Sequence, residues 1–189
     1  MNATIEFFFD ISSPYSYLAA TQIDGVGARL GVPVTWRPFL LGGVFKAVGN
    51  QPPATLPARG RYMLADLHRW AAAYEVPFSF PSTFPMNTLL AMRALTALEP
   101  AQRPDATLAL YRAYWGDDRD LTRPEVLADI IGEMPVARAV TPEVKGALRA
   151  TTEEAVARGA FGAPTIFVGD KMFFGNDRLH FVVAAVRGA

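Results

Sequence analysis

The segment Ser13-Pro14-Tyr15-Ser16 holds the hydroxyl groups best placed for chemistry, because it follows a long apolar strand and opens a helical pattern. Ser13 followed by Pro14 is typical of a helix that begins with a serine cap and a proline at its first position. The free N–H groups and positive dipole end of a helix favour a nearby anion. From these residues alone, Ser13 either binds an anion or only caps the helix.

The composition limits what that chemistry can be. The 189 residues contain no cysteine, which excludes disulfides, thiol nucleophiles and cysteine-bound metals, so any thiol must come from a ligand. A catalytic metal usually takes about three protein ligands, and with only His68 and His180 present we expect no metal. The 18 basic and 18 acidic residues cancel, which argues against nucleic acid and anionic membranes as partners.

The sequence shows no targeting signal or membrane-spanning segment. The N-terminal MNATIEFFFD has no basic start and no cleavage-site pattern, so it does not resemble a secretory signal. No run approaches the roughly 18 uninterrupted apolar residues of a membrane span. We therefore expect a cytoplasmic protein without a membrane segment.

Hydrophobic patterns predict the elements that position Ser13. Residues 4–10 predict a strand buried on both faces, the helix after Ser13 ends near Gly31, and residues 34–38 predict a second strand. The chain ends with strands at 165–168 and 171–174, followed by a helix capped by Asn176. Between these parts lie long helical patterns. The order βαβ, helices, ββα predicts an α/β fold with one sheet and an inserted helical block.

That order and four segments resemble a known family. The segments are FDISSPYSYLA, GGVFKAVGNQPP, RYMLADLHRWA and FGAPTIFVGDKMFFGNDRL. Across the whole length, the chain resembles the kappa-class glutathione transferases and, more closely, the bacterial 2-hydroxychromene-2-carboxylate isomerases. The resemblance implies a DsbA-like thioredoxin fold in which residues 1–40 and 159–189 form the thioredoxin-like domain. Residues 41–158 would form an all-helical insertion domain.

The resemblance also implies roles for single residues. Ser13 and Ser16 stand where such proteins hold the cysteines of CPxC, so Ser13 would stabilise the thiolate of bound glutathione. Pro164 would be cis, leaving the backbone N–H and C=O of Ala163 unpaired for the glutathione cysteinyl segment.

Further ligand contacts follow from the same resemblance. Phe174, Gly175, Asn176 and Asp177 would hold the γ-glutamyl end, with Asp177 binding its ammonium group. Asn50 would lie near the glutathione sulfur. Lys46 aligns with a lysine beside the substrate carboxylate in the isomerases. Without the resemblance, these residues are an ordinary turn, a capped helix and a solvated charge.

The function implied is a glutathione-dependent cis–trans isomerisation of 2-hydroxychromene-2-carboxylate or a similar aromatic-degradation intermediate, in a homodimer. Glutathione would be a cofactor, and a small aromatic carboxylate the substrate. Two alternatives stay open. One is a kappa-like transferase or peroxidase that consumes glutathione, and the other is a thioredoxin-fold binding module without catalysis.

Overall fold

A four-stranded mixed sheet organises the computed structural model, which describes residues 3–51 and 57–188. The strands are β1 (Ile5–Phe9), β2 (Val34–Pro38), β3 (Thr165–Val168) and β4 (Lys171–Phe174), in the order β2-β1-β3-β4. β1 and β2 are parallel and joined by α1 (Pro14–Leu30), whereas β3 is antiparallel to both of its neighbours. The predicted sheet and its central strand are confirmed.

Helices fill the chain between β2 and β3 and close its end. They are α2 (Leu41–Val48), α3 (Pro57–Ala73), α4 (Leu89–Ala97), α5 (Arg103–Trp115), α6 (Pro124–Ile131), α7 (Glu133–Arg138), α8 (Pro142–Ala157) and α9 (Leu179–Arg187). The sequence patterns did not single out α2 and α7, because such short helices span about two turns and give little periodicity. In the part of the chain described, no helix combines the length and apolar character of a membrane span.

The start of the last helix corrects a prediction. Asn176 does not cap α9; it opens a 3-10 turn, Asn176–Arg178, and the residue before α9 is Arg178. The extra turn is a common feature of helix N-termini that composition does not reveal. As a result, the backbone of Asn176 faces the insertion, where the Tyr74 hydroxyl donates to its carbonyl at 3.2 Å.

One aromatic core joins the sheet to the inserted helices. Phe7 and Phe9 of β1 pack against Trp36 of β2 with ring centroids 5.0 and 5.5 Å apart. Phe9 also contacts the ring of Tyr111 in α5, at 6.3 Å. All four residues belong to the same buried cluster. The domain boundaries at residues 40 and 159 stay a prediction, because this core extends across them.

Two donors from α5 fix the loop that leads from β1 to Ser13. The Tyr111 hydroxyl donates to the Asp10 carbonyl at 3.0 Å, and the Trp115 indole N–H donates to the Ile11 carbonyl at 2.8 Å. Both side chains are fully buried. Buried carbonyls need such partners, since an unpaired one costs about 1–3 kcal/mol. The inserted helices therefore hold the backbone that presents Ser13.

Candidate active site

Ser13 caps α1, as its sequence predicts, and its hydroxyl makes two hydrogen bonds. The Oγ atom accepts from the Ser16 N–H at 3.1 Å and donates to the Ala163 carbonyl at 2.9 Å. The side chain is only 4% exposed. A hydroxyl has one proton to donate, so in this structure the Ser13 proton is committed to Ala163.

The backbone of Ala163 differs in part from expectation. The Ala163–Pro164 peptide bond is cis, as the family resemblance implies. The expectation of an unpaired Ala163 carbonyl is wrong, because the Ser13 hydroxyl occupies it. Within residues 3–51 and 57–188, no acceptor is found for the Ala163 N–H. With respect to the described residues, Ala163 thus offers an N–H group without an acceptor and a carbonyl that Ser13 must first release.

Three parts of the chain hold residues 161–164 in place. The Asn50 side-chain amide donates to the Phe161 carbonyl at 2.9 Å, which connects the end of α2 to this segment. The Gly175 N–H donates to the Pro164 carbonyl at 3.1 Å, and Ser13 binds Ala163 between them. Asn50 therefore has a structural contact in addition to any role in ligand binding.

Asp10 holds the loop before Ser13 through hydrogen bonds. Its carbonyl accepts from the Ser13 N–H at 3.0 Å, while its carboxylate accepts from the Leu41 N–H at 2.8 Å and the Ser12 N–H at 2.9 Å. Burial of the carboxylate raises the pKa of Asp10, an effect that these hydrogen bonds oppose. One fully buried side chain thus connects the Ser13 loop to the start of α2.

The turn after β4 presents Asn176 and Asp177. Asn176 is 2% exposed, and its side-chain N–H2 group has no hydrogen-bond partner among the described residues. The carboxylate of Asp177 pairs with Arg178. Gly175 has φ of 99°, and a Cβ there would lie 2.7 Å from the Asp177 carboxylate, so this close approach requires glycine. A buried unpaired donor next to a charged pair is suited to binding a zwitterionic group.

A single open cavity of about 1400 Å³ brings most of the predicted site residues together. Those that line it are Ser13, Asn50, Ala163, Phe174, Gly175, Asn176 and Asp177. Pro164 and Lys46 are not among the lining residues, and Lys46 is exposed on α2. Whether Lys46 meets a substrate stays a prediction. We call the buried part formed by Ser13, Ala163 and Asn176 the Ser13 side.

The opposite wall of the cavity comes from one face of α3, which we call the α3 side. Its lining residues follow helical spacing, and they are Arg59, Tyr62, Met63, Asp66 and Trp70. The sequence predicted Met63 and Trp70 only as part of an apolar core stripe and did not single out the other three. The signal was present as an i, i+3, i+4, i+7 pattern of polar and aromatic residues, which by itself is typical of any half-exposed helix.

Tyr15 connects the two sides. It lies two residues after Ser13, lines the same cavity, and donates its hydroxyl to the Asp66 carboxylate at 3.0 Å. Burial and the Asp66 carboxylate both raise the pKa of Tyr15, so its phenol stays protonated over the physiological range. The cavity therefore carries a neutral donor bound to a carboxylate a short distance along α1 from the capping serine.

Comparisons with known proteins place the chain among enzymes. The family described as "DSBA-like thioredoxin domain" matches residues 4–187. The 2-hydroxychromene-2-carboxylate isomerase of Sphingobium xenophagum is 36% identical over 190 residues, which covers 96% of this chain and 97% of the relative. Glutathione S-transferase kappa 1 of Homo sapiens is 33% identical over 200 residues, covering 95% of this chain and 88% of the relative.

The solved structures include a similar molecule. A 2-hydroxychromene-2-carboxylate isomerase superposes with a TM-score of 0.88 at 26% identity, covering 98% of this chain and 95% of its own. The relatives include both isomerases and transferases, and all of them are enzymes. The comparisons therefore agree on the fold and on enzymatic activity.

Proposed function

Because the chain belongs to the DsbA-like thioredoxin-domain family, we propose that it is a glutathione-dependent isomerase of 2-hydroxychromene-2-carboxylate or a similar aromatic-degradation intermediate. The observation that carries the proposal is a cavity lined both by Ser13 and by aromatic residues of α3, in a chain without cysteine. The identity with isomerases over nearly the full length of both chains supports this substrate class.

The residues of the cavity fit glutathione. A drug-sized ligand occupies a pocket of about 300–1,000 Å³, so the cavity of about 1400 Å³ has room for a tripeptide and a second, aromatic molecule. The unpaired Asn176 amide and Asp177 suit the carboxylate and ammonium of a γ-glutamyl group. Arg178, which also lines the cavity, offers positive charge for a carboxylate of the tripeptide.

Ser13 must change its hydrogen bond to act. Glutathione supplies a soft sulfur nucleophile, which no side chain of this protein provides. The Ser13 proton has to turn from the Ala163 carbonyl toward the sulfur anion, and the N–H groups at the start of α1 add to the stabilisation. The Ala163 carbonyl then needs another donor, and an amide N–H next to the thiol can supply it.

The test is an assay with 2-hydroxychromene-2-carboxylate and glutathione that follows product and free thiol together. Isomerisation predicts conversion with a constant amount of free thiol. Progressive thiol loss would instead support the alternative of a kappa-like transferase or peroxidase, which the 33% identity to the human kappa enzyme favours.

Thermal unfolding tests the remaining alternative, a binding module without catalysis, since a ligand that binds the native state raises Tm. No shift with glutathione would favour a binding module without catalysis.

Three further properties stay predictions. The homodimer and a small aromatic carboxylate as the physiological substrate are implied by the family resemblance, and the cytoplasmic location is expected from the N-terminal sequence. Size-exclusion chromatography with light scattering would measure the first.

A further inference from the structure

The α3 side contains a carboxylate that the proposed function has not used. Asp66 and Asp177 are the carboxylates among the described cavity-lining residues, and Asp177 is paired with Arg178. Among residues 3–51 and 57–188, Asp66 instead receives a single proton donor, the neutral hydroxyl of Tyr15 at 3.0 Å. A carboxylate can accept several hydrogen bonds, so Asp66 keeps the capacity to accept another from a bound molecule.

The neighbours of Asp66 determine what that molecule can be. Tyr62 and Trp70 lie one turn before and one turn after it on the same face of α3, so two aromatic rings flank the carboxylate. A flat aromatic ligand that contacts these rings would bring its polar groups to Asp66. The carboxylate is partly buried, so water only partly screens it.

The proposed reaction requires a base. In 2-hydroxychromene-2-carboxylate, the hydroxyl group and the ring oxygen are bonded to the same carbon. Opening the ring removes the hydroxyl proton and turns the C–OH bond into the C=O bond of a ketone. The bond between that carbon and the ring oxygen breaks, and its electron pair stays on the ring oxygen, which becomes a phenolate. The phenolate then takes up a proton, so the ring opening consumes none overall.

We propose that Asp66 is the general base for this ring opening and that Tyr15 is the residue that positions it. This inference rests on the proposed function. The Asp66 carboxylate takes the hydroxyl proton while the ring C–O bond breaks, and then returns it to the phenolate oxygen. Because both oxygens are bonded to the same carbon until the ring opens, one carboxylate beside that carbon can reach both. The Tyr15 hydroxyl fixes the rotation of the carboxylate and remains protonated throughout.

The test uses Asp66→Asn and Asp66→Ala in the full-length protein. We expect kcat with 2-hydroxychromene-2-carboxylate and saturating glutathione to fall by roughly 10²–10⁴-fold in both. Added formate should restore part of the rate of Asp66→Ala in proportion to its concentration, which a structural role would not produce. The Tm shift caused by glutathione should equal that of wild type, because Asp66 lies on the other wall. Tyr15→Phe should lower kcat by about tenfold.

Matched controls separate this role from general effects of mutation. Asp129→Asn removes an exposed carboxylate paired with Arg119, and Tyr17→Phe removes a hydroxyl bound to the Pro77 carbonyl; both should keep the wild-type rate. A rate of Asp66→Asn within twofold of wild type would overturn the inference, and so would a slow Asp66→Ala that formate does not accelerate. If wild-type protein does not convert the compound, the proposed function fails first and the inference fails with it.

Discussion

The two walls of the cavity are built in opposite ways. On the Ser13 side, Ser13, Ala163 and Asn176 are at most 8% exposed, and hydrogen bonds hold the backbone of each. On the α3 side, the groups are side chains of one helix, and Tyr62 is 66% exposed. The first wall can change only if the sheet and α1 change with it. The side chains of the α3 side can be replaced while the fold persists. The same Ser13 side can therefore be combined with binding sites for different second substrates.

On the Ser13 side, the largest effect should come from removing the Ser13 hydroxyl. Ser13→Ala should lower kcat/KM by about 100-fold with any second substrate, because an anion loses a buried donor. Turnover measured with two chemically different acceptors provides the check. Thr141→Ala is the matched control, since Thr141 caps α8 with its hydroxyl but does not line the cavity. It should cost about 1 kcal/mol of stability without changing the rate. A small or acceptor-dependent loss in Ser13→Ala would contradict the comparison.

Asp10 should control stability more than specificity. Asp10→Asn places an amide N–H2 against the N–H groups of Leu41 or Ser12 and should lower the free energy of unfolding by about 1–3 kcal/mol at pH 7. Folding raises the pKa of Asp10, so the native state binds its proton more readily than the unfolded state. Lowering the pH toward 3.8, the ordinary pKa of aspartate, therefore raises the free energy of unfolding of the wild type relative to that of the variant.

The measurement is urea unfolding of both proteins between pH 7 and pH 4. The deficit of Asp10→Asn should grow as the pH falls. A deficit that shrinks toward acid would mean that burial does not raise the pKa of this carboxyl in the native state.

An altered ligand tests the exchange of partners at Ala163. A glutathione analogue methylated on the cysteinyl nitrogen lacks the N–H that would replace the Ser13 proton, so it should bind about tenfold more weakly. Calorimetric titration gives the affinity. Methylation of the glycyl nitrogen adds the same bulk and is the control. Equal affinities for both analogues would show that Ala163 does not receive this donor.

The smallest effect should come from an exposed aromatic side chain of the α3 side. Tyr62→Leu should change kcat/KM for 2-hydroxychromene-2-carboxylate by about two- to threefold, because a side chain that is 66% exposed contributes little buried contact. The glutathione-dependent Tm shift should stay that of wild type. A changed Tm shift would mean that the two walls are not independent.

The same contrast explains what could be predicted from the sequence. The cap at Ser13 and the strand that precedes it depend on neighbouring residues, so local patterns were sufficient. The cis bond at Pro164 followed from the family resemblance. The bond between Tyr15 and Asp66 joins residues 51 positions apart, and only the packing of α3 on α1 creates it. The paired Ala163 carbonyl was missed for the same reason, because its donor lies 150 positions away.

Hydrogen bonds from aromatic side chains connect the helices and loops around the cavity. Tyr111 and Trp115 bind the backbone next to Ser13, Tyr74 binds that of Asn176, and Tyr15 reaches α3 in the other direction. Swinging the helices away to admit a ligand would break these bonds and expose the aromatic core. Ligands therefore enter through the mouth of the cavity, and amide protons of α1 and α5 should exchange with solvent only when the whole chain unfolds.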